Sequence, residues 1–531
     1  MTRRRIIIVG AGTAGCVLAR RLCSDTQNRV MLFDEGTWLR RPDLGGDPIT
    51  IASLADSFST TTSRRWNANI GSGHSVDLIG GRVIGGSGRI NGGYFVHPTV
   101  RDLRAWTEVA GERFSPLAFG SVMRVAESDF DFGDQQGRGT TGPLTIERDL
   151  DLHPISAAFR DAATNLGYMT HHDLNDGGPV GIGPIPFNSK QGIRVDPSIA
   201  YLWPALPRPN LTIFNSVRVV RVAIRDGRAV GVLVRNPGSP APDVLIEADD
   251  VVLCAGTIGS PSLLLSSGIG PSGDLRRRGI DIHADLRAVG SHFWNHPTVD
   301  IPYLPSPAVT APLNADYDAS DRARSFMQMA LHTAKSDGHG CDAEFMATRV
   351  PYGVATGLDP SDEMLSLRIT DIGCDVTGSI RLSRREPSGL RINHPFAESS
   401  STRSDLRRAT RLGMELLCQD KFKELTSGRF GPTTRELRSN DRLDSWIDGH
   451  LSTAFHMIGS CPMGPDPRTS VVDNRFRVHG IDGLRVVDAS VIPVQLSRGP
   501  AAAVVGLAEI AAQEMGVSPV TPPNLLARRR I

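Results

Sequence analysis

The 531-residue chain lacks the features that mark disulfide-rich, membrane-spanning or nucleic-acid-binding proteins. Its seven cysteines are scattered and form no Cys-x-x-Cys pair, which argues against a zinc site, a redox dithiol or a disulfide framework. Neither charge is in excess, because 58 Lys and Arg side chains face 57 Asp and Glu, so no global field would recruit nucleic acid. No apolar run approaches the roughly 18 residues of a membrane span. We therefore expect reduced, buried thiols, and we predict neither a metal site nor a transmembrane segment.

The two ends of the chain have some features of targeting signals. The start, Met-Thr-Arg-Arg-Arg, has the charge of a signal peptide, but the apolar run from Ile6 to Val9 ends at once in Gly10-Ala11-Gly12. A buried strand is therefore expected there. The Pro-rich and Arg-rich tail, residues 518–531, is expected to be a frayed terminus, with a membrane or partner anchor as the alternative. We predict a cytoplasmic protein, and peripheral membrane association is the alternative.

The first 35 residues have the pattern of a β-α-β unit. Ile6 to Val9 and Val30 to Phe33 are uniformly apolar, as in parallel strands covered on both faces. Between them lies Gly10-x-Gly12-x-x-Gly15, in the strand-to-helix context that a dinucleotide-binding fingerprint requires. In that fingerprint the first glycine permits a tight turn, the second lets a pyrophosphate approach the backbone, and the third lets the helix pack closely on the strand.

A carboxylate follows the second strand, as expected for a nucleotide site. Asp34 lies near the ~20-residue spacing from the glycines at which such a group binds the ribose hydroxyls. The N-terminus of the intervening helix would direct unpaired N–H groups at the phosphates. These residues predict a dinucleotide-binding domain but leave the choice between FAD and NAD open.

The remainder of the chain changes character along its length. A glycine-dense stretch from Gly71 to Gly93 suggests backbone lying against a ligand. Strand patterns occur from Leu211 to Ala255, whereas residues 300–440 mix short strands with a helix around Asp405 to Leu417. We predict an α/β fold, in which a Rossmann-type domain with a mostly parallel sheet flanked by helices carries an inserted α+β substrate-binding domain on a mainly antiparallel sheet. The predicted boundaries are 1–150 and 201–298 for the nucleotide-binding domain, 151–200 for a first substrate-domain or lid segment, 299–445 for the substrate-binding domain, and 446–531 for a C-terminal part that closes the first domain.

Three long segments resemble those of the glucose-methanol-choline (GMC) oxidoreductase family, which binds FAD. They are GRVIGGSGRINGG at 81–93, followed by Asp102 and Trp106, CAGTIGSPSLLLSSGIGP at 254–271, and HMIGSCPMG at 456–464, followed by VVD at 471–473 and GLRVVDAS at 483–490. The resemblance covers the nucleotide-binding domain and thins out between about residues 300 and 440. It implies FAD as the cofactor and oxidation of an alcohol as the reaction.

Carried over position by position, the resemblance assigns cofactor contacts. Gly86, Ser87 and Asn91 would face the flavin and its pyrophosphate, and the backbone of Val219 would contact the adenine. Asp488 and Ala489 would lie near the ribityl chain and the flavin pyrimidine ring; without the family, Val219 and Ala489 are as consistent with core positions and Asp488 with a turn. The residues predicted to bind the cofactor are Gly10, Gly12, Thr13, Ala14, Gly15, Asp34, Glu35, Arg82, Gly86, Ser87, Asn91, Gly92, Val219, Ala255, Gly256, Asp488, Ala489, Pro500 and Ala501.

Oxidation of an alcohol removes a hydride from carbon and a proton from oxygen. The hydride can pass to flavin N5, whereas the proton needs a base that works near neutral pH, for which histidine is the usual choice. His456 occupies the family's catalytic position, and we predict that it is the general base. A helix that begins around Gly499-Pro500-Ala501 would direct its positive end at negative charge on the reduced flavin, or it simply closes the domain.

Two positions depart from the family pattern. Some relatives tether FAD through a histidine where this chain has Ile90, so noncovalent FAD is expected. Relatives place a second catalytic histidine or an asparagine at the position that matches Gly499. His456 would then act without that partner unless Arg498, Gln495 or a residue of the substrate-binding domain reaches in, and the glycine would leave room for a bulky substrate. A shift of register that brings another residue to this place is the alternative.

The start of the chain and the segment 497–503 resemble the actinobacterial branch of the family that is associated with mycofactocin, a peptide-derived redox cofactor. That resemblance implies reduced mycofactocin (mycofactocinol) as the substrate and an onward electron acceptor in the respiratory chain. A generic GMC dehydrogenase or oxidase of a small alcohol is one alternative, and a lyase that keeps FAD for structure is another. A flavin-binding protein without enzymatic activity is a further alternative, in which His456 and its motif would have no function.

Overall fold

The computed structural model describes residues 3–517 apart from several short stretches. The predicted frayed tail, 518–531, lies outside the described residues. No helix within the described part of the chain has the length and apolar character needed to cross a membrane. For Cys341 and Arg429 only the backbone is described. The internal stretches left out are 39–53, 55–57, 136–137, 177, 179, 237–241, 308, 310–324, 336–340, 352–362 and 387.

A five-stranded parallel sheet forms the centre of the nucleotide-binding fold. Its middle strand carries Ile6, Ile7 and Ile8, which are fully buried, as uniform apolarity predicts for a strand covered on both faces. The first β-α-β unit of the chain therefore lies next to the later strand that begins at Asp250. In spatial order the strands are Leu211–Phe214, Asn28–Phe33, Arg4–Val9, Asp250–Leu253 and Leu484–Val486.

Two helices that bear on the cofactor site pack against each other beside this sheet. The helix Thr13–Leu22 follows the first strand and contacts Ala501–Glu514. The second helix is buried along nearly its whole length, so it belongs to the core. It begins at Ala501, with Pro500 as its N-cap residue and no side chain capping it. Pro500 therefore precedes the first turn instead of lying in it.

A seven-stranded antiparallel sheet forms the body of the second unit. The helices Pro154–Asn165 and Ser400–Leu417 pack on it. The second of these starts before Asp405, because the Ser399 side chain accepts a hydrogen bond from the Thr402 backbone N–H and caps the helix there. Along the sheet the strands are Thr426–Arg429, Pro297–Pro305, Leu365–Asp371, Cys341–Thr348, Met327–Ala334 and Gly181–Pro184, and Leu451–Thr453 also pairs with Pro297–Pro305.

A four-stranded sheet joins residues that are far apart in the sequence. The hairpin of Ser63–Gly71 and His74–Gly81 pairs, through its first strand, with Leu390–Asn393, and that strand pairs with Ser379–Leu382. The turn of the hairpin contains Gly71 and Gly73, with φ of 94° and 79°. The prediction that the whole stretch 71–93 lies against a ligand is therefore wrong for its first part, where the glycines serve a turn.

The cysteine prediction needs one correction. Cys418 is exposed, whereas Cys16, Cys23, Cys254, Cys374 and Cys461 are buried and form no disulfide.

The remaining elements are short. The other strands are Glu127–Asp129, Leu144–Arg148 and Pro186–Phe187, Ser189–Lys190 with Ile193–Arg194, Arg218–Arg225 with Arg228–Arg235 and Val244–Glu247, and Ile269–Gly270 with Ala284–Asp285. The other helices are Ser87–Ile90, Val100–Ala110, Glu112–Phe114, Pro116–Ala126, Ser198–Leu202, Trp203–Ala205, Gly256–Ser266, Ser272–Arg276, Phe396–Glu398, Asp420–Leu425, Thr434–Leu437, Asn440–His450 and Ala489–Val491.

Asp102 connects the helix Val100–Ala110 to the segment that precedes Gly499. Its Oδ2 accepts a hydrogen bond from the Thr99 backbone N–H at 2.9 Å, which completes a capping box. Its Oδ1 accepts from the Ser497 backbone N–H at 3.1 Å and from the Ser497 hydroxyl at 2.7 Å. The buried carboxylate thus fixes the chain two residues before Gly499.

We predict that Asp102→Ala lowers the free energy of unfolding by about 2–4 kcal/mol, because hydrogen bonds to a charged group are lost and their donors are left unpaired. Urea unfolding followed by circular dichroism measures the change. Asp420→Ala is the control, since the Asp420 side chain is 93% exposed and its ion pair in the described structure is with the neighbouring Lys423. Equal unfolding of the two variants would contradict this role.

Candidate active site

One continuous cavity extends from the carboxyl ends of the parallel strands to the seven-stranded sheet. Most of the residues predicted to form the site line it. Four do not, namely Gly15, Glu35, Arg82 and Val219. The predicted residues in the lining are Gly10, Gly12, Thr13, Ala14, Asp34, Gly86, Ser87, Asn91, Gly92, Ala255, Gly256, His456, Asp488, Ala489, Gly499, Pro500 and Ala501.

The three fingerprint glycines differ in whether the surrounding protein leaves room for a side chain. Gly10 has φ of 103°, and a Cβ there would overlap the Cys254 carbonyl, whereas a Cβ on Gly15 would overlap the Gly10 carbonyl. The predicted tight turn and close helix packing are therefore confirmed. Gly12 has φ of −75°, and the nearest atoms to a Cβ there are 4.0 Å away.

Nothing in the protein itself thus requires a glycine at position 12. The space beside Gly12 opens into the cavity at the N-terminus of the helix Thr13–Leu22, whose N-cap has no side-chain hydrogen bond. Free N–H groups and the helix dipole favour a phosphate at such a place. The local geometry therefore fits the pyrophosphate of a dinucleotide such as FAD.

Asp34 lies at the predicted end of the second strand and lines the cavity. Its two carboxylate oxygens accept hydrogen bonds from the backbone N–H groups of Ala11, at 2.7 Å, and Gly36, at 2.6 Å. Burial raises the pKa of Asp34 to about 6, although both donors oppose the shift. Each oxygen keeps a further lone pair for a ribose hydroxyl. Glu35 instead pairs with Arg64 at 2.9 Å.

Other predicted cofactor residues also have structural tasks. The Oδ1 of Asn91 accepts from the Gly93 backbone N–H at 2.9 Å and from Arg194 at 2.8 Å. Asp488 accepts from the Ser260 hydroxyl at 2.6 Å and from the Gly256 backbone N–H at 2.9 Å. Asp488 therefore fixes the start of the helix Gly256–Ser266 at the cavity wall. Its role in a turn and its position in the cavity lining are compatible.

Two predicted residues lie elsewhere. Val219 is buried in the strand Arg218–Arg225 and pairs with Val234. Arg82 is exposed, and its guanidinium donates to the Thr60 carbonyl at 3.0 Å. Their cofactor contacts stay predictions.

His456 reaches the cavity on a segment that leaves the seven-stranded sheet. The strand Leu451–Thr453 ends just before it, and the Met457 carbonyl accepts from the Thr257 hydroxyl at 2.7 Å. Phe455, between them, has φ of 61°, a left-handed conformation that is uncommon for a bulky residue. Strained backbone of this kind is frequent where a side chain is held in place for function.

The ring of His456 contacts a second histidine that the sequence interpretation missed. The Nδ1 atoms of His456 and His296 are 3.0 Å apart, and the rings are nearly perpendicular, at 88°. Burial lowers the pKa of His456 to about 4 and that of His296 to about 3. Both rings are therefore neutral at pH 7, the state in which a histidine can accept a proton.

A buried carboxylate network lies beside this pair. The Oε2 of Glu344 accepts from the Tyr94 hydroxyl at 2.5 Å and from His332 Nε2 at 2.9 Å. Burial alone would raise the pKa of Glu344, but hydrogen bonding and the field of His332, with smaller effects of His456 and Tyr94, lower it to about 2. The carboxylate is ionised, and its field favours positive charge on His456, against the field of Arg368.

Gly499 lies directly beside His456. A Cβ on Gly499 would be 3.1 Å from His456 Nε2 and 3.4 Å from Tyr94 Cδ1. Gly499, which the resemblance aligns with the family's second catalytic residue, therefore adjoins the predicted base. Arg498 and Gln495 do not line the cavity, whereas Glu344 and Arg368, from the predicted substrate-binding domain, do.

The fold, the fingerprint and the histidine in one cavity define a flavin-dependent oxidoreductase. The chain belongs to the GMC oxidoreductase family, because that family's N-terminal domain matches residues 4–298 and its C-terminal domain matches residues 375–508. The protein is therefore an FAD-dependent enzyme that acts on alcohols. Ile90 lines the cavity and has no nucleophilic atom, so FAD is held noncovalently at this position.

Known proteins resemble the chain over almost its whole length. It is 32% identical over 521 residues to an uncharacterised GMC-type oxidoreductase from the thcA 5′ region of Rhodococcus erythropolis, covering 95% of this chain and 96% of the relative. It is 29% identical to an oxygen-dependent choline dehydrogenase of Photobacterium profundum, with coverage of 98% and 94%. Pyridoxine 4-oxidase from Mesorbium loti superposes with a TM-score of 0.85 at 25% identity, covering 96% of this chain and 99% of that chain. A fungal aryl-alcohol oxidase shares the fold, with a TM-score of 0.81 at 18% identity, covering 97% and 99%.

We predict that Gly12→Ala folds like the wild type but binds FAD at least about 10-fold more weakly, a loss of ~1.4 kcal/mol, because the added methyl projects into the space for the pyrophosphate. Fluorescence titration of apoprotein with FAD measures the affinity. Gly15→Ala is the contrasting variant, since its methyl overlaps backbone and should lower the thermal stability of the apoprotein. Unchanged FAD affinity in Gly12→Ala would contradict the proposed contact.

Proposed function

We propose that this enzyme oxidises the carbinol group of a bulky alcohol, with His456 as the general base that removes the hydroxyl proton. Bound FAD supplies the hydride acceptor. The observation that carries the proposal is the position of His456: its neutral ring presents Nε2 toward Gly499, in the same cavity that begins at the fingerprint glycines. A base must lie within hydrogen-bond reach of the proton it removes, and the missing side chain at Gly499 leaves that approach open.

The surrounding residues support proton removal. As His456 accepts the proton it becomes positive, and the ionised Glu344 lowers the energy of that charge. The N-terminus of the helix Ala501–Glu514 borders the same cavity and favours negative charge there. These groups thus match the two charges that the reaction separates.

The substrate end of the cavity is largely apolar. Phe58, Phe326, Met327, Met346 and Phe455 line it, and such side chains bury hydrocarbon and aromatic surface. Together with the absence of a side chain at Gly499, which lines the cavity, this lining favours a substrate larger than a simple short-chain alcohol.

Reduced mycofactocin is the substrate that we propose, with onward transfer of its electrons to a respiratory-chain component. The support is the resemblance of the start of the chain and of residues 497–503 to the mycofactocin-associated branch, together with the apolar lining of the cavity. A cytoplasmic enzyme that meets its acceptor at the membrane surface fits this role. A small alcohol such as choline is the second candidate, and the choline dehydrogenase relatives favour it.

Anaerobic mixing of the holoenzyme with reduced mycofactocin, and separately with choline, tests the substrate. Bleaching of the flavin by reduced mycofactocin supports the proposal, and bleaching by choline alone supports the small-alcohol alternative. A lyase would turn over its substrate without bleaching. Admission of oxygen or a quinone to the reduced enzyme then shows which acceptor reoxidises it, and slow reoxidation by oxygen is expected of a dehydrogenase.

His456→Ala should retain FAD but reduce it at least ~10²-fold more slowly, the usual scale for loss of a general base. Stopped-flow absorbance under anaerobic conditions measures the rate, and the flavin spectrum of the purified variant reports cofactor retention. His450→Ala is the control, because His450 ends the helix Asn440–His450 outside the cavity lining. Flavin reduction at the wild-type rate would remove His456 from the mechanism.

Glu344→Gln should slow flavin reduction about 10-fold, the lower end of the range for lost outer-sphere partners, because the field that favours positive charge on His456 is removed. The wild-type rate should stay constant between pH 6 and 8 and fall only as the pH approaches about 4, where His456 becomes protonated and can no longer accept a proton. Glu436→Gln, in an exposed capping box, is the control. A wild-type rate in Glu344→Gln, or a wild-type midpoint near 6.5, would contradict this electrostatic account.

Gly499→His should impair a bulky substrate more than a small alcohol, because its side chain would fill the space beside His456 Nε2. The comparison uses kcat/KM for one large and one small alcohol that reduce the wild-type flavin. Gly499→Ala separates the effect of the Cβ, 3.1 Å from His456 Nε2, from that of the imidazole. Equal losses for both substrates would place Gly499 away from the substrate.

A further inference from the structure

His296 touches the proposed base but not the substrate space. Its ring is 2% exposed and is absent from the cavity lining, whereas His456 is in that lining. Among the described residues, His296 is linked to the chemistry by the 3.0 Å contact between the two Nδ1 atoms. A neutral imidazole has one nitrogen that donates and one that accepts, so this contact orders the protons of both rings.

The other partner of His296 decides that order. The Leu496 backbone raises the pKa of His296, which is the effect of a carbonyl oxygen that faces a ring N–H. A carbonyl can only accept, so the nitrogen it meets must carry the proton, and with Nδ1 facing His456 that nitrogen is Nε2. Neutral His296 then presents an unprotonated Nδ1, and the Nδ1 of His456 must be the donor.

We propose that His296 is a positioning residue that holds His456 as the Nδ1–H tautomer, so that the lone pair on His456 Nε2 faces the substrate space beside Gly499. The inference rests on the proposed function, in which His456 is the base. In the opposite tautomer Nε2 would carry a hydrogen and could not remove a proton. A wrong tautomer in an otherwise intact site slows catalysis strongly, as replacement of the aspartate in a serine-protease triad demonstrates.

The backbone holds the two rings in register. The His296 N–H donates to the Asn295 side-chain oxygen at 3.0 Å, and the Ala454 N–H donates to the His296 carbonyl at 3.0 Å. The Asn295 amide also hydrogen-bonds the Thr453 hydroxyl. The segment that carries His456 is thereby fixed to the segment that carries His296 before any substrate arrives.

The same contact persists after proton transfer. When His456 gains a proton on Nε2, its Nδ1–H still donates to His296, so neither ring has to turn. The titratable groups whose fields reach the pair are Glu344, Arg368 and His394, and burial lowers the pKa of His394 to about 4. None of them is required to change its protonation in this arrangement, which gives the site the preorganisation that favours proton transfer.

Nitrogen NMR of the substrate-free holoenzyme, with ¹⁵N-labelled histidine, tests the tautomer directly. Signals are assigned by their loss in His456→Gln and in His296→Asn. The proposal requires neutral His456 with protonated Nδ1 and unprotonated Nε2 near pH 7.5, and neutral His296 with protonated Nε2. A protonated Nε2 on His456 would overturn it, whether or not His456→Ala slows flavin reduction. Failure of this inference is thereby distinct from failure of the base assignment.

Variants of His296 separate tautomer control from packing. Asparagine places an amide oxygen where Nδ1 lies and can still accept from His456, whereas alanine cannot. We expect His296→Ala to reduce its flavin about 10–100-fold more slowly, the range for lost outer-sphere partners, and His296→Asn to recover most of that loss. His153→Asn is the control for loss of a buried histidine outside the cavity lining. Equal rates in the alanine and asparagine variants, whether fast or slow, would overturn the proposal.

Discussion

The site depends on the close approach of three backbone segments at the carboxyl ends of the parallel strands. The Cys254 carbonyl lies where a Cβ on Gly10 would be, and the backbone of Gly12 lies where a Cβ on Gly86 would be. Because no side chain separates these segments, the glycine turn, the start of the helix Gly256–Ser266 and the loop after residue 81 border one space. Ligands of open α/β sheets bind at this edge of the strands, and here the same edge opens toward the seven-stranded sheet.

The catalytic end adds a second constraint, which is the burial of several ionisable groups together. Glu344, His332 and His296 are each at most 2% exposed, and unpaired burial of such groups would be costly. Hydrogen bonding among neighbours offsets that cost and leaves one ionised carboxylate among neutral imidazoles. His456 is a neutral base beside a fixed negative charge, which favours its acceptance of a proton. Arg368, at the same wall, opposes the effect of the carboxylate on His456.

Much of the nucleotide-binding half could be predicted from the sequence, because its signals are local. Uniformly apolar strands, three glycines and a carboxylate at fixed spacing specify one turn, and Gly10, Gly12 and Asp34 lie where that pattern requires. The chemistry around His456 was harder to foresee. His332 and Glu344 meet through the register of two paired strands, Tyr94 reaches them from a distant segment, and no spacing in the sequence encodes these contacts.

The misplaced expectations have similar causes. Gly71 and Gly73 share the composition of the ligand-facing loop, but the strands around them close a hairpin. Glu35 neighbours Asp34 in the sequence, yet it lies beyond the end of the strand and its side chain pairs with Arg64. The sequence carries one signal for His296, which is its position between Asn295 and Pro297, immediately before a buried strand. Its importance follows only from the contact with His456.

The most direct measurement is an experimental structure of the protein with FAD bound and, in a second crystal, with a substrate analogue. We predict that the pyrophosphate lies beside Gly12, at the N-terminus of the helix Thr13–Leu22, and that the analogue's oxygen lies within hydrogen-bond distance of His456 Nε2 next to Gly499. A flavin ring or an analogue held away from His456, with the glycine space filled by protein, would contradict it.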